Sequence, residues 1–404
     1  MPGHTVGIMK RRNRQRGTKE QRAQLRDVLN AASAMTAAKQ EPRRHHLVPR
    51  FFLEQWAVDG RVQVTDLLQQ RRTFRLRPEH ALVETNYYRI NEGVVDGGSP
   101  VAWETWLSAI EGAAAPLLPV VRDEGLHTLE PESQGQFLQF LAVQVTRSRT
   151  WRYQGRWMLG AGYFQMWELG KPGAIAAHLK RNGAEPTAER VANLEAYFDR
   201  VNADPWAAAR SPELEMKASM HAGNALIPSF VERVPVTFRS DAPLLTSDEP
   251  VTLLTEHHGD LDSPHVGFHA APVIAVPLGP HHVLALFRRD LPAVDVNRCL
   301  SRSETLELNR ALLGNAHRHV VSLPGNQLAE RLYVPDLKPP MRLRNVRSEG
   351  RPVLQATPQY RWSGERDAPQ RPVSFWWPAT LPPPPPVPRA PEEWAAERQR
   401  YDAG

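Results

Sequence analysis

The sequence predicts an α+β protein, with a helical N-terminal half of the core packed against a mixed or antiparallel sheet from the C-terminal half. Two observations point there. Apolar residues recur at helical spacing over 101–124 and 132–165, and a third helical stretch lies near 211–233. Four strand-like segments follow: VPVTFRS (234–240), PVTLLT (250–255), PVIAVPL (272–278) and HVLALFRR (282–289). Helices first and strands later is the order of segregated layers, not of a repeating βαβ array.

Composition sets the frame. The chain has 404 residues, 41% of them hydrophobic and 11 of them Trp, enough to bury a sizeable core. Its net charge of +6 is uneven: residues 1–44 carry +8 and the other 360 sum to −2. Residues 1–40 read as a basic, disordered arm, with one weak helix over Lys19–Ala38. The cluster KRRNRQR (Lys10–Arg16) suits a nucleic-acid partner or an acidic surface, and equally a merely solubilising arm. Residues 41–335 read as a single α+β core domain, and residues 336–404 as a proline-rich tail. LPPPPPVP (Leu381–Pro388) favours polyproline II, as a stiff spacer or as a ligand for the aromatic groove of a protein partner. PEEWAAERQR (Pro391–Arg400) follows as a short terminal helix. The basic N-terminus lacks the apolar run of a secretory signal, and no stretch reaches the ~18 apolar residues a membrane span needs. Cys299 is the only cysteine, so no intramolecular disulfide forms. These features point to a soluble cytoplasmic protein with no membrane partner.

The elements follow in order. In RRHHLVPRFFLEQWA (Arg43–Ala57), Val48 precedes Pro49 and is biased to extended backbone, while Pro49 suits a helix start. His45 and His46 sit in that extended approach and point to opposite sides. RVQVTD (61–66) and RTFRLR (72–77) alternate around a short connection and read as a hairpin. SRSETLELNRALLGNAHR (301–318) opens with a Ser301/Glu304 capping pattern and reads as a helix, followed by HVVSLP (319–324) as a strand.

Several polar residues stand where apolar ones belong. In the second helix Phe137, Phe140, Leu141, Ser148 and Trp151 form one stripe, with Gln144 near its middle and Arg147 at its edge. In the first, Glu104 and Glu111 edge the stripe of Trp106, Leu107, Ile110, Ala114 and Leu117. They can meet Arg147, a metal ion or each other; an ion pair bolting the two helices together is the structural alternative. Arg43, Arg44 and a histidine beside the helix starting at Pro49 resemble a phosphate-binding corner. TSDEP (Thr246–Pro250) reads as a turn that also presents Asp248 at a strand end. His257/His258 read as a loop, and His317 and His319, two apart, as one face of a strand and a metal option. The HExxH, CxxC, GxxxxGK[ST] and GxSxG signatures are absent. Cys299 has no adjacent base and reads as a packing residue.

HHLVPRFFLEQWA, DGRVQVTDL, NYYRI before WETWLSAIE, QFLAVQVTRSR, LLTSDEPV, AVPLGPHHVLAL and ELNRALLGNAHRHVV, in that order, resemble the DUF4238 family over residues 43–323. The resemblance implies matching polar positions at His45, His46, Glu104, Glu111, Gln144, Arg147, Asp248 and Asn309. It also implies an association of some members with bacterial defence against phage, and no agreed mechanism. The chain departs from the family pattern at Glu249, where Asn is usual, and at Trp56, where a smaller aromatic is usual.

The expectation is one polar pocket. His45, His46, Arg147 and Asp248 would be catalytic, and Arg44, Gln144 and Asn309 would bind substrate. Glu104, Glu111 and Asp248 would hold a divalent ion, Mg²⁺ or Mn²⁺. The chemistry such a set suits is metal-assisted phosphodiester hydrolysis, nuclease-like. The alternative is a non-catalytic sensor or a module that binds nucleic acid or a partner.

Overall fold

The computed structural model describes residues 44–88, 102–157, 173–181, 185–203, 212–255, 267–339, 341–348, 351–378 and 380–383. The arm, its expected helix at 19–38, the His257/His258 loop and the terminal helix at 391–400 lie outside the described residues.

The chain opens with β1 (Arg44–His46) and a single helical turn, α1 (Arg50–Leu53). β2 (Val62–Asp66) and β3 (Arg72–Leu76) form the expected hairpin, and β4 (Val83–Thr85) pairs back on β1. The first long helix divides at Pro116 into α2 (Ala102–Ala114) and α3 (Leu117–Asp123). The second divides at Arg147–Ser148, into α4 (Pro131–Thr146) and a helical segment over 149–157. α5 (Ala174–Arg181), α6 (Ala188–Ala203) and α7 (Pro212–Val231) follow. α7 lies close on α4: a Cβ at Gly223 would stand 3.2 Å from Thr146 Oγ1 and 3.3 Å from Val143 Cγ2.

β5 (Val234–Arg239), β6 (Thr246–Ser247), β7 (Thr252–Leu254), β8 (Val273–Gly279) and β9 (His282–Phe287) come next. α8 (Arg302–Asn315) starts at the expected capping box, Ser301 with Glu304, and leads into β10 (His319–Ser322). Two four-stranded sheets result, in the orders β3-β2-β10-β6 and β5-β9-β8-β7, with every strand pair antiparallel. The sheets are not drawn from the C-terminal half alone, because β2 and β3 supply half of the first. β2 binds β10 across more than 250 residues of chain.

β8 is buried along its whole length. Its alternate residues serve two cores, as the two-residue period of a strand requires. Ile274, Val276 and Leu278 join the core shared with α2, α3 and α4, together with Phe52, Trp56 and Phe140. Val273 and Ala275 face the core built with Leu308 and Leu312 of α8. Val373, Trp376 and Trp377 complete that second core. Packing therefore continues past residue 335, where the tail was expected to begin. After α9 (Leu328–Arg331) the chain forms a hairpin of β11 (Met341–Ser348) and β12 (Arg351–Pro358). It then returns to the core at Arg361 and Trp362. Arg361 is 3% exposed and donates to the carbonyls of Ala316, His317 and Pro335 at 2.9, 2.7 and 2.9 Å. The Trp362 indole occupies the space that a Cβ on Gly314 would need. Among the described residues no helix is long and apolar enough to cross a membrane.

Candidate functional site

The residues expected in one pocket divide into separate groups. The first surrounds Arg147, which caps the C-terminus of α4. Its Nε donates to the Tyr88 hydroxyl at 2.9 Å, and its terminal nitrogens bind Glu111 of α2 and the carbonyl of His46 in β1. The Arg147 side chain is 3% exposed. A charge so far from water persists only when paired and hydrogen-bonded, as this one is. Glu104 shares the same neighbourhood. Burial pushes its carboxyl up to about 7, with Arg147 opposing and Glu111 adding to the shift. His45 is buried on one side of β1, where Nδ1 accepts from Tyr88 N at 2.8 Å and the ring stacks on Tyr88 at 5.3 Å. His46 is half-buried on the other side, and burial is the main cause that lowers its pKa. Gln144 donates to the Leu47 carbonyl at 2.8 Å. The structure brings His45, His46, Glu104, Glu111, Gln144 and Arg147 together as a lock between β1, α2 and α4.

One expectation at the opening stretch is corrected. The phosphate-binding corner does not form, because α1 is one turn, followed by a 3-10 turn over Glu54–Trp56, too short for a row of free N–H groups and a macrodipole. Arg44 is exposed, with its guanidinium 3.3 Å from His80 Nδ1.

Asp248 belongs to a different group. Its Oδ1 accepts from His317 N at 3.0 Å, and its Oδ2 from Arg318 N and His319 N at 2.9 and 3.1 Å. One carboxylate thus holds three successive backbone donors of the approach to β10. Asn309 is equally engaged. Its Nδ2 donates to the Pro243 carbonyl at 3.0 Å and its Oδ1 accepts from Leu245 N at 2.8 Å, so it fixes the chain leading into β6 from inside the core. The expected carboxylate set of Glu104, Glu111 and Asp248 is therefore not assembled: Glu104 and Glu111 lie beside Arg147, whereas Asp248 holds the backbone of 317–319. His317 and His319 do not pair on an ion either. His317 Nδ1 lies 3.3 Å from Thr150 Oγ1, whereas the His319 ring stands between Asp66 and Asp248. Among the described residues no group of three or more His, Cys, Asp or Glu is placed to hold a metal ion.

The open polar feature of this part of the fold begins two residues after Arg147. Arg149, Arg152 and Arg156 share one face of the 149–157 segment by their spacing. With His317, Arg318 and Tyr153 they line a cleft of ≈ 520 Å³. A second lobe of ≈ 300 Å³ is lined by Asp66, His80 and His319, and again by Arg149 and Arg318. The two lobes therefore meet at these two guanidinium groups. Each arginine is braced by a carboxylate. Arg318 reaches Asp66 Oδ2 from Nε at 2.9 Å and from a terminal nitrogen at 2.7 Å. Arg152 and Arg156 share Glu215, at 3.0 and 3.1 Å, and Arg149 pairs with Glu84. Arg152 also lies over the Tyr87 ring, 4.2 Å from its centroid. Four arginines against Asp66, Glu84 and Glu215 leave the cleft with one net positive charge.

Burial and charge set the titration here. Burial opposes ionisation of Asp66, but hydrogen bonds from Arg318 and from Leu68 N outweigh it and hold the carboxyl below its usual range. Burial lowers His317 to about 4, with Asp248 opposing. It lowers His319 as well, with Asp248 and Asp66 opposing. Behind the cleft Glu249 is buried and accepts from Thr150 N at 2.8 Å; burial, with Asp248 adding, pushes it up to about 8.

A family model described as protein of unknown function (DUF4238) matches residues 44–326. The chain belongs to this family. No curated protein matches it, and no solved structure does. Every cleft residue named above falls inside the span the DUF4238 model matches, while Arg361 falls outside it. The sequence reading missed Arg149, Arg152 and Arg156. The signal was present in RSRTWRYQGR, arginines at helical spacing interleaved with aromatics, but it is hidden while 132–165 is read as one unbroken helix. Arg318 and Asp66 carried no local signal, since only the pairing of β2 with β10 makes them neighbours.

Proposed function

We propose that the protein binds a phosphate-bearing ligand of the nucleotide class, free or within a strand, in the two-lobed cleft. The observation that supports this best is the sharing of Arg149 and Arg318 between the lobes, each arginine braced by a carboxylate. A guanidinium has five donors in a rigid fork. A carboxylate that engages one edge orients the rest, and this reduces the entropy lost when a phosphate arrives. Tyr153 supplies an aromatic surface in the same cleft, and stacking on such a surface tolerates any base. A ligand of this class also fits a role in defence against phage, which the family resemblance suggests.

The reading differs from metal-assisted hydrolysis by the carboxylates named at the outset, because Asp248 and Glu111 are held by protein donors. It also differs from binding through the basic arm alone. Calorimetric titration of the full chain with ADP, and fluorescence polarisation with a labelled single-stranded oligonucleotide, test it. Both should bind, more weakly as salt rises. Arg149→Gln and Arg318→Gln should each weaken ADP binding by about tenfold to a hundredfold, the range for hydrogen bonds to charged groups. A full-length variant with Lys10, Arg11, Arg12, Arg14 and Arg16 changed to Gln should bind ADP as the wild type does. Failure to bind either probe, or loss confined to the arm variant, would reject the reading.

A further inference from the structure

We infer that His319 is a catalytic proton acceptor for hydrolysis of a phosphodiester held at the junction of the two lobes. This rests on the binding reading above and adds an activity to it. His319 is the first residue of β10, and the three backbone donors gripped by Asp248 end at its own N–H. Its backbone is thereby fixed at the rim of the cleft. The side chain is 20% exposed and lines the smaller lobe beside Arg149, Arg318 and His80. Nδ1 is buried, has no hydrogen-bond partner and lies 4.0 Å from Asp248 Oδ2. Nε2 lies on the other side, 3.6 Å from Asp66 Oδ2.

The two aspartates are not equivalent. Asp66 Oδ2 already receives both Arg318 contacts, so Nε2 faces an ion pair whose charges cancel. Among the described residues Asp248 is hydrogen-bonded only by neutral backbone donors, and the Arg318 and Arg361 guanidinium groups act on its charge from farther away. The tautomer with its proton on Nδ1 therefore has a carboxylate behind it and leaves the Nε2 lone pair toward the lobe. That is how a buried acid orients an imidazole base. A shift of about 1 Å would close the Asp248 contact to hydrogen-bond length, and catalytic hydrogen bonds in ligand-free sites are often long. Asp248 is then a positioning residue.

The step balances with water as the only co-reactant. A water oxygen attacks phosphorus as Nε2 takes one of its protons. The bond from phosphorus to the ester oxygen breaks, and that oxygen leaves with the electron pair and takes a proton from solvent. The imidazolium returns its proton to solvent, while Arg149 and Arg318 offset the charge on the phosphoryl oxygens.

The test pairs binding with turnover on the full chain, using a single-stranded oligonucleotide and bis(p-nitrophenyl) phosphate, with and without Mg²⁺ or Mn²⁺. His319→Asn should bind the oligonucleotide within about threefold of wild type and lose about 10²- to 10⁴-fold of turnover, the range for a general base. His319→Gln is the second variant, and thermal melts of both show that they fold. The pH profile of kcat/KM should show an acid limb that the His319 variants lack. The charged and titratable neighbours that shape that limb are Asp66, Asp248, Arg149, Arg318, His317 and His80. Binding without cleavage by the wild type would overturn the assignment and leave the binding reading intact. Undiminished turnover in folded His319→Asn or His319→Gln would overturn it too. Absence of binding by the wild type would remove both.

Discussion

Arg147 and Arg149 differ by two positions and by almost everything else. Arg147 ends α4 inside the protein, where Tyr88, Glu111 and the His46 carbonyl take its donors. Arg149 begins the next helical segment, is braced by Glu84, and lines both lobes of the cleft. The break at Ser148 turns the chain between them. Residue type alone does not say which guanidinium is structure and which is site; the partners and the solvent on the other side do.

The largest effect should come from breaking the lock. Arg147→Ala leaves Glu111 and the Tyr88 hydroxyl without their cation, and removal of one partner from a buried pair costs about 3–5 kcal/mol. Denaturant titration should show that loss, and the fraction that remains folded should bind ADP normally. Arg149→Ala should do the reverse, weakening ADP binding while costing less stability than Arg147→Ala. If the two variants exchanged these phenotypes, the distinction between lock and site would be wrong.

Next is Asp248→Asn. An amide carbonyl cannot serve three backbone donors as a carboxylate does, and loss of charge-assisted hydrogen bonds costs about 1.5–3 kcal/mol. Stability should fall by that amount, and amides of 317–319 should exchange faster. An effect of a different kind, spread over pH, belongs to Glu249. Its folded pKa of about 8 lies above the usual carboxylate value of 4.5. Its contribution to stability is therefore full below pH ~4.5 and is lost as pH rises through about 8, with a limiting slope of about 1.4 kcal/mol per pH unit. Glu249→Gln keeps an acceptor for Thr150 N, so its stability curve should be flatter over that window. Glu104→Gln should matter least. Burial pushes this acid up to about 7, so it is mostly protonated at pH 6, and stability there should change by no more than about 1 kcal/mol.

The contrast also explains what the sequence disclosed. Local signals were sufficient for the hairpin of β2 and β3, for α7, for β5, β7, β8 and β9, and for the capping box at Ser301. Amphipathic spacing also singled out Glu104, Glu111, Gln144 and Arg147 as polar residues on apolar stripes, but it did not decide between an ion pair and a reactive pocket. Asp248 was noticed as a carboxylate at a turn, but its role depends on backbone donors about 70 residues away. Asn309 likewise reads as a free amide until its two backbone partners are seen. The cleft was illegible for the same reason. It needs a helix break, a strand pairing across most of the chain, and arginines whose braces come from α7, β2 and β4.

Arg361 has a consequence for where this protein can be cut. The family region ends at residue 326, yet the carbonyls of Ala316 and His317 depend on a guanidinium beyond it. A chain stopped at the family boundary would leave those oxygens uncapped, next to the loop that Asp248 grips from the other side. The segment after 326 acts as a keel for the histidine loop, so trimming to the family boundary should loosen the cleft before it loosens the helices.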